Sequence, residues 1–129
     1  MVKSAPRISF TVDSIDYGTI DVGNTTAVAS YYVLNHNSAS IAIAINMSIS
    51  FKESSNASEA RKESWVFIST AEQAYARIAS VGGPEAFAGS VLSGAAQSIL
   101  VKTYVNVPVA AASAGRVAWQ LHHRYQYTG

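Results

Sequence analysis

Three histidines, His36, His122 and His123, are the side chains best suited to acid–base chemistry in this 129-residue chain, which has no cysteine. Imidazole is the usual base beside a serine or threonine nucleophile. His122 and His123 are consecutive in a predicted strand, so their side chains point to opposite faces and cannot share a substrate or a metal ion. His36 lies in a predicted turn. The sequence therefore predicts no catalytic residue, no cofactor and no small-molecule substrate.

Three aspartates, Asp13, Asp16 and Asp21, lie near two predicted turns and carry the hard oxygen ligands that calcium prefers. Their spacing does not match an EF-hand loop. Aspartate is also a common turn residue, because its side chain hydrogen-bonds to the nearby backbone. Turn formation is the favoured interpretation and calcium binding is the alternative. No other metal site is expected, since a zinc–thiolate centre needs cysteine.

Three asparagines, Asn24, Asn46 and Asn56, begin N-glycosylation sequons. Asn24 lies in a predicted turn and Asn56 in a predicted loop, where a glycan has room. Asn46 lies on the polar face of a predicted strand and is accessible only if that face is exposed. Glycosylation at any of them depends on an extracellular location.

Six aromatic residues in predicted strands could form a carbohydrate-binding surface by stacking against sugar rings. They are Tyr31, Tyr32, Tyr104, Trp119, Tyr125 and Tyr127. The alternative is that they fill a β-sheet core and its edges, where aromatic residues are common. We favour the second interpretation.

The composition narrows the function classes further. Hydrophobic residues make up 49% of the chain and charged residues 13%, whereas globular domains average roughly 25% charged. This balance is typical of proteins that pack against copies of themselves or lie outside the cell. The net charge of +1 and the absence of a dense basic patch argue against nucleic-acid binding.

No apolar run approaches the ~20 residues that a membrane-spanning helix needs. The first ten residues lack the apolar core of a signal peptide. We therefore expect that the chain stays where it is made until assembly, or that a signal has been removed from it.

The clearest secondary-structure signal is the stretch from Ile41 to Phe51, in which large apolar residues alternate with small or polar ones. Successive strand side chains point to opposite faces, so this spacing predicts a strand with one apolar face. That face is expected to carry Ile41, Ile43, Ile45, Met47, Ile49 and Phe51. Ala42, Ala44, Asn46, Ser48 and Ser50 are expected on the opposite face.

Other strands are predicted at Ile8–Val12, Thr25–Leu34, Trp65–Ile68, Ile99–Val107 and Val117–Tyr127. We expect Thr25–Leu34 to form a hairpin with the Ile41 strand. Lys52–Glu63 is expected to be a charged loop with a helical turn near Glu59–Glu63. Ser69–Glu72 fits a capping box and favours a short helix at 73–79, with a strand as the alternative.

These elements predict an all-β fold, an antiparallel two-sheet sandwich of immunoglobulin-like or jelly-roll type, with about seven strands and one short helix. We expect one domain, residues 7–129, preceded by a flexible arm, residues 1–6.

The segment Ile15–Thr26, with its glycines at 18 and 23 and a following strand that ends in Leu34-Asn35, resembles the opening of immunoglobulin-like surface modules. The late strand that runs into Pro108, the small-residue loop with Gly115 and the long final strand also resemble that sandwich. Such modules occur in archaeal surface-filament subunits and in phage decoration and tail proteins. The resemblance implies the architecture only, and no site residues.

Together these features predict a non-enzymatic structural subunit that self-assembles by strand exchange or edge-strand contacts, in an extracellular filament or a virion surface layer. Its partners would be copies of itself. The residues expected at the contacts are Arg7, Ile8, Phe10 and Val12 near the start, and Trp119, Leu121, Tyr125 and Tyr127 near the end. The alternative is a β-sandwich module that binds glycans or a cell surface.

Overall fold

The computed structural model describes residues 8–35, 43–71, 74–78, 85–92, 98–112 and 115–128. Within these residues the chain forms eight strands and one short helix. The elements are β1 (Ile8–Phe10), β2 (Ala29–Asn35), β3 (Ile43–Ser55), α1 (Ser58–Lys62), β4 (Val66–Ser69), β5 (Ala76–Arg77), β6 (Ala86–Leu92), β7 (Ser98–Val105) and β8 (Ala118–Thr128).

The strands form two antiparallel sheets. The large sheet has the order β1-β2-β7-β4-β5, and the small sheet has the order β6-β3-β8. The predicted all-β, two-sheet sandwich is therefore confirmed.

The core lies between the sheets, where alternate residues of each strand point inward. Val33, Val101 and Ile68 of the large sheet are fully buried and face Met47 and Ile49 of the small sheet. Burying one such aliphatic side chain contributes roughly 1.5–3 kcal/mol, so this apolar alternation is what drives the two sheets together.

The predicted hairpin between Thr25–Leu34 and the Ile41 strand is wrong. β2 pairs with β1 and β7 in the large sheet, whereas β3 is the central strand of the small sheet, between β6 and β8. An apolar alternation specifies which face of a strand is buried, but it does not specify the neighbouring strand. The strand at residue 25 also begins later than predicted, at Ala29.

The unbroken alternation predicted for the Ile41 strand is also wrong. Asn46 has a φ of 53°, and the pairing register against β8 shifts around it, between Ile45 and Ser48; the register against β6 shifts one step later, between Met47 and Ser48. Such a bulge adds one residue to the strand and reverses the faces on its far side. As a result Ala44, expected on the polar face, is buried, while Ile45 is only partly buried. Ile41 lies outside the described residues.

The helix expected at 73–79 is not present at Ala76–Arg77, which form strand β5 against β4. Ile78 is fully buried and donates its backbone N–H to the Val66 carbonyl at 3.2 Å, so sheet pairing at this edge outweighs the local preference for a helix. Residues 72 and 73 lie outside the described residues.

The helix of this fold is α1, which overlaps the predicted helical turn at Glu59–Glu63. The charged loop expected from Lys52 begins later than predicted, because β3 continues to Ser55 and pairs there with the start of β8.

The segment Thr11–Val28 connects β1 to β2 along the side of the sandwich, and we call it the flank. It turns at Gly18 and Gly23, which have φ values of 82° and 80° that glycine adopts without strain. After the second turn the backbone pairs with 105–107, including a hydrogen bond from the Gly23 N–H to the Val107 carbonyl at 2.7 Å. The predicted turn at Gly23-Asn24 is confirmed.

Candidate functional site

Both segments that the sequence indicated for assembly contain edge strands. β1 is the outermost strand of the large sheet, and β8 is an outer strand of the small sheet with β3 as its only neighbour among the described residues. β8 has eleven residues and is ~36 Å long at about 3.3 Å per residue. An edge of this length presents a row of backbone N–H and C=O groups to which another strand can pair.

The side chains of β8 alternate between the two faces of the small sheet. Trp119, Leu121, His123 and Tyr125 point inward and are partly buried, whereas Gln120, His122, Arg124 and Gln126 are exposed. His122 and His123 therefore lie on opposite faces, as expected. Arg7 and the side chain of Tyr127 lie outside the described part of the chain, and Val12 follows the end of β1 with 37% of its surface exposed.

Phe10, Tyr31 and His123 form a contact between the two sheets that we call the edge junction. The ring centroids of Phe10 and His123 are 4.5 Å apart, and Tyr31 meets both rings edge-on. The Tyr31 hydroxyl and His123 Nε2 are hydrogen-bonded at 2.6 Å. The junction thus holds β1, β2 and β8 together, although 42% of Phe10 remains exposed.

The edge junction is electrically neutral near pH 7. Burial lowers the pKa of His123 to about 4; a hydrogen bond to the Leu121 backbone opposes this shift, and the neighbouring His122 adds to it. Burial also raises the pKa of Tyr31. A neutral imidazole can accept the Tyr31 O–H at Nε2 while its other nitrogen donates. This pairing suits a packing role for His123, since a general base works best with a pKa near the operating pH.

Trp119 stacks with two aromatic side chains of its own chain. Its ring centroid is 5.5 Å from that of Tyr17 in the flank and 5.4 Å from that of Phe51 in β3. Tyr17 also hydrogen-bonds through its hydroxyl to Thr103 Oγ1 of the large sheet at 2.9 Å, and burial raises its pKa. Tyr17 therefore closes the side of the sandwich, and a sugar ring would have to compete with Tyr17 and Phe51 to stack on Trp119.

The aromatic residues on the outer face of the large sheet also stack on one another. Phe67 and Tyr104 are parallel at 4.8 Å, Tyr75 leans on Tyr104 at 4.8 Å, and the Arg77 guanidinium covers Phe67 at 5.2 Å. Tyr32, which is 44% exposed, is separated from this stack. Mutual stacking covers the ring faces that a carbohydrate platform needs free, and this weighs against the glycan-binding alternative.

The structure does not bring the calcium candidates into a group of metal-ligating side chains among the described residues. Asp13, Asp16 and Asp21 are all exposed, and no group of three or more His, Asp or Glu side chains suited to a metal occurs among the described residues. Asp16 Oδ1 accepts the Gly18 backbone N–H at 2.8 Å, which is the local turn geometry that aspartate favours.

The three sequon asparagines are all exposed. Asn24 follows the turn at Gly23, Asn46 lies at the bulge in β3, and Asn56 has a φ of 54° just before α1. The side chains of Asn46 and Asn56 each donate a hydrogen bond, to Gln126 Oε1 at 3.2 Å and to the Arg116 carbonyl at 3.4 Å. Glycosylation at these positions remains a prediction.

An open, mainly polar cavity of about 410 Å³ lies along the flank. Its lining consists of Tyr17, Thr19, Ile20, Asp21, Asn24, Thr25, Thr26 and Ala27. This lining contains hydroxyl groups but no histidine or lysine that could activate one of them as a nucleophile. The geometry gives no support to a catalytic site here.

Sequence reasoning missed an ion pair on the outer face of the small sheet. Glu85 accepts two hydrogen bonds from Arg124, at 2.8 and 2.6 Å. Arg124 is opposite Ser48 in the register, and Glu85 immediately precedes Ala86, which is opposite Ile49, so the pair crosses the outer face of β3 beside Ser50. Glu85 and Arg124 are 39 residues apart, and no local pattern in the sequence indicates such a pairing.

In comparisons with known proteins, no protein-family model matches the chain and no curated protein is significantly similar to it. Within the described ranges, none of the helical structure has the length and apolar character needed to cross a membrane.

Proposed function

We propose that this chain is a non-enzymatic structural subunit that assembles with copies of itself through its edge strands, β1 and β8. The observation that carries the proposal is the eleven-residue edge of β8, which lies next to a partly exposed apolar side chain, Phe10. The proposed setting is an extracellular filament or a virion surface layer, in line with the resemblance to immunoglobulin-like surface modules.

The unequal sheets favour strand addition beside β8. Among the described residues the small sheet has three strands, whereas the large sheet opposite it has five. A strand added to β8 would enlarge the small sheet on the side where β1 lies. Backbone pairing would supply the affinity, and burial of the apolar side chains of the added strand would supply an apolar contact.

The segment Ile8–Val12 of a neighbouring copy is the proposed donor. Ile8, Phe10 and Val12 alternate with Ser9 and Thr11, so the segment presents one apolar and one polar face when extended. Its hold on the large sheet is short: three residues form β1, and Thr11 adds hydrogen bonds to the backbone of Tyr32. A short strand costs little to detach, which suits exchange between copies. Donation from each copy to the next is heterologous and produces an open-ended polymer.

Deletion of residues 1–12 tests this proposal. We expect the shortened chain to lose assembly, measured by sedimentation velocity and negative-stain electron microscopy, because the donor segment and its apolar side chains are removed. The matched control deletes residues 1–6 and should assemble like the full chain. Unchanged assembly after deletion of residues 1–12 would contradict the proposal.

A further inference from the structure

The outer face of the large sheet carries two cations among uncharged side chains, and we call it the basic face. Along β7, exposed Leu100 is opposite exposed Tyr32, and Tyr104 is opposite Phe67. Exposed Lys102 lies between these two pairs, with Ser30 and Ser69 beside it in the register. Arg77 is opposite Phe67 in β5. The small serines leave the Lys102 ammonium accessible in the middle of an apolar surface.

The flank has the opposite charge. Its eighteen residues, Thr11–Val28, include Asp13, Asp16 and Asp21 and no lysine, arginine or histidine. All three aspartates are exposed, and exposed valines lie beside them: Val12 at 37%, Val22 at 51% and Val28 at 55%. The flank therefore combines negative charge with accessible apolar surface, as the basic face combines positive charge with accessible apolar surface.

Two of the carboxylates elsewhere are bound within the molecule. Glu85 is bound to Arg124, and both Glu59 carboxylate oxygens accept the Ala112 N–H, at 3.0 and 2.9 Å. Within one molecule Tyr17 holds the flank against the side of the sandwich, between Trp119 and Thr103. No ion pair between the flank and the basic face is present among the described residues.

We propose that the basic face of one copy docks on the flank of the next copy. The occupant is a second copy because the same chain supplies both the cationic apolar surface and its anionic apolar complement. Two basic faces would not pack together, since Lys102 and Arg77 would then meet like charges. The contact joins two different surfaces, so it is heterologous and repeats from copy to copy. It rests on the proposed self-assembly and adds a lateral contact to the edge-strand pairing.

A charge-exchange experiment tests this contact. One variant carries Lys102→Glu and Arg77→Glu, which makes both surfaces negative; the other carries Asp13→Lys and Asp21→Lys, which makes both positive. Asp16 is left unchanged because it forms the turn at Gly18. We expect each variant alone to need a concentration roughly tenfold higher or more for assembly, since like charges face each other. An equimolar mixture should assemble at the wild-type concentration, with the two variants alternating.

The control reverses two exposed charges near α1, Lys62→Glu and Glu63→Lys, and should assemble like the wild type. Circular dichroism establishes that each variant is folded; if Arg77→Glu disturbs the Phe67 stack, Lys102→Glu alone replaces the double variant. Wild-type assembly by both charge variants would overturn this contact and leave the edge-strand proposal standing. A mixture that does not recover assembly would also overturn it. A wild-type chain that stays monomeric would overturn both proposals.

Discussion

The size of the side chain at Ser50 is limited by an ion pair that passes over it. It lies on the outer face of β3 and has no exposed surface, and its hydroxyl has no hydrogen-bond partner. Such a buried hydroxyl costs roughly 1–3 kcal/mol compared with an apolar atom of the same size. The Glu85–Arg124 pair crosses β3 at this level, and we infer that it shields Ser50 and leaves no room for a larger side chain.

The effect of substituting Ser50 on the free energy of unfolding should therefore depend on the Glu85–Arg124 ion pair. We expect Ser50→Ala to leave the free energy of unfolding unchanged or raise it by up to about 1 kcal/mol. Ser50→Leu should lower it by about 1–3 kcal/mol through overpacking. In the Arg124→Gln background the cost of Ser50→Leu should fall, because the bridging side chain is gone. Urea denaturation of the four variants measures this coupling, and an equal cost in both backgrounds would contradict it.

His123 predicts how stability depends on pH. Its pKa is about 4 in the folded chain and close to 6.5 when unfolded, so between these values the unfolded state binds more protons. Stability should therefore rise as pH increases from 4 to 6.5, by about 2–3 kcal/mol, and be lost as pH falls through this window. Protonation also makes Nε2 a donor, which removes the acceptor for the Tyr31 hydroxyl.

Denaturation at pH 4, 5.5 and 7 tests this prediction with His123→Gln and, as a matched control, His122→Gln on the exposed face of the same strand. His123→Gln should remove most of the rise in stability that His123 causes between pH 4 and 6.5. His122→Gln should retain that rise. If the two variants show the same pH dependence, the edge junction does not have the assigned role.

At the scale of elements, strands that have one clear inner face could be predicted from the sequence. β8 is the best example: its alternation from Val117 onward places Trp119, Leu121 and His123 on the inner face, as the structure shows. The pattern works because burial repeats every two residues in a strand. The same pattern fails in β3, where the left-handed Asn46 adds a residue and exchanges the faces of Ala44 and Ile45.

Strand order and cross-sheet contacts could not be predicted in this way. β2 and β3 are consecutive in the chain, yet they lie in different sheets, because pairing depends on surfaces contributed by distant residues. The same limit applies to the candidate site. The sequence identified the β1 and β8 segments, but not Tyr31 as the partner of His123, 92 residues away, or Tyr17 as the cover of Trp119.

At the scale of the whole molecule, the two proposed contacts have different physical origins. Edge pairing depends on backbone hydrogen bonds and changes little with salt, whereas docking of the basic face on the flank depends on charge and weakens as salt screens it. Together they would join copies along the small sheet and across the flank.

The most direct test of edge pairing is backbone hydrogen exchange in β8, compared between monomer and assembly. In the monomer, alternate amides of Ala118–Thr128 point away from β3 and should exchange rapidly. In the assembly we predict that these same amides become protected, because they donate to the added strand. Assembled particles in which the outward amides of β8 still exchange as fast as in the monomer would contradict the account.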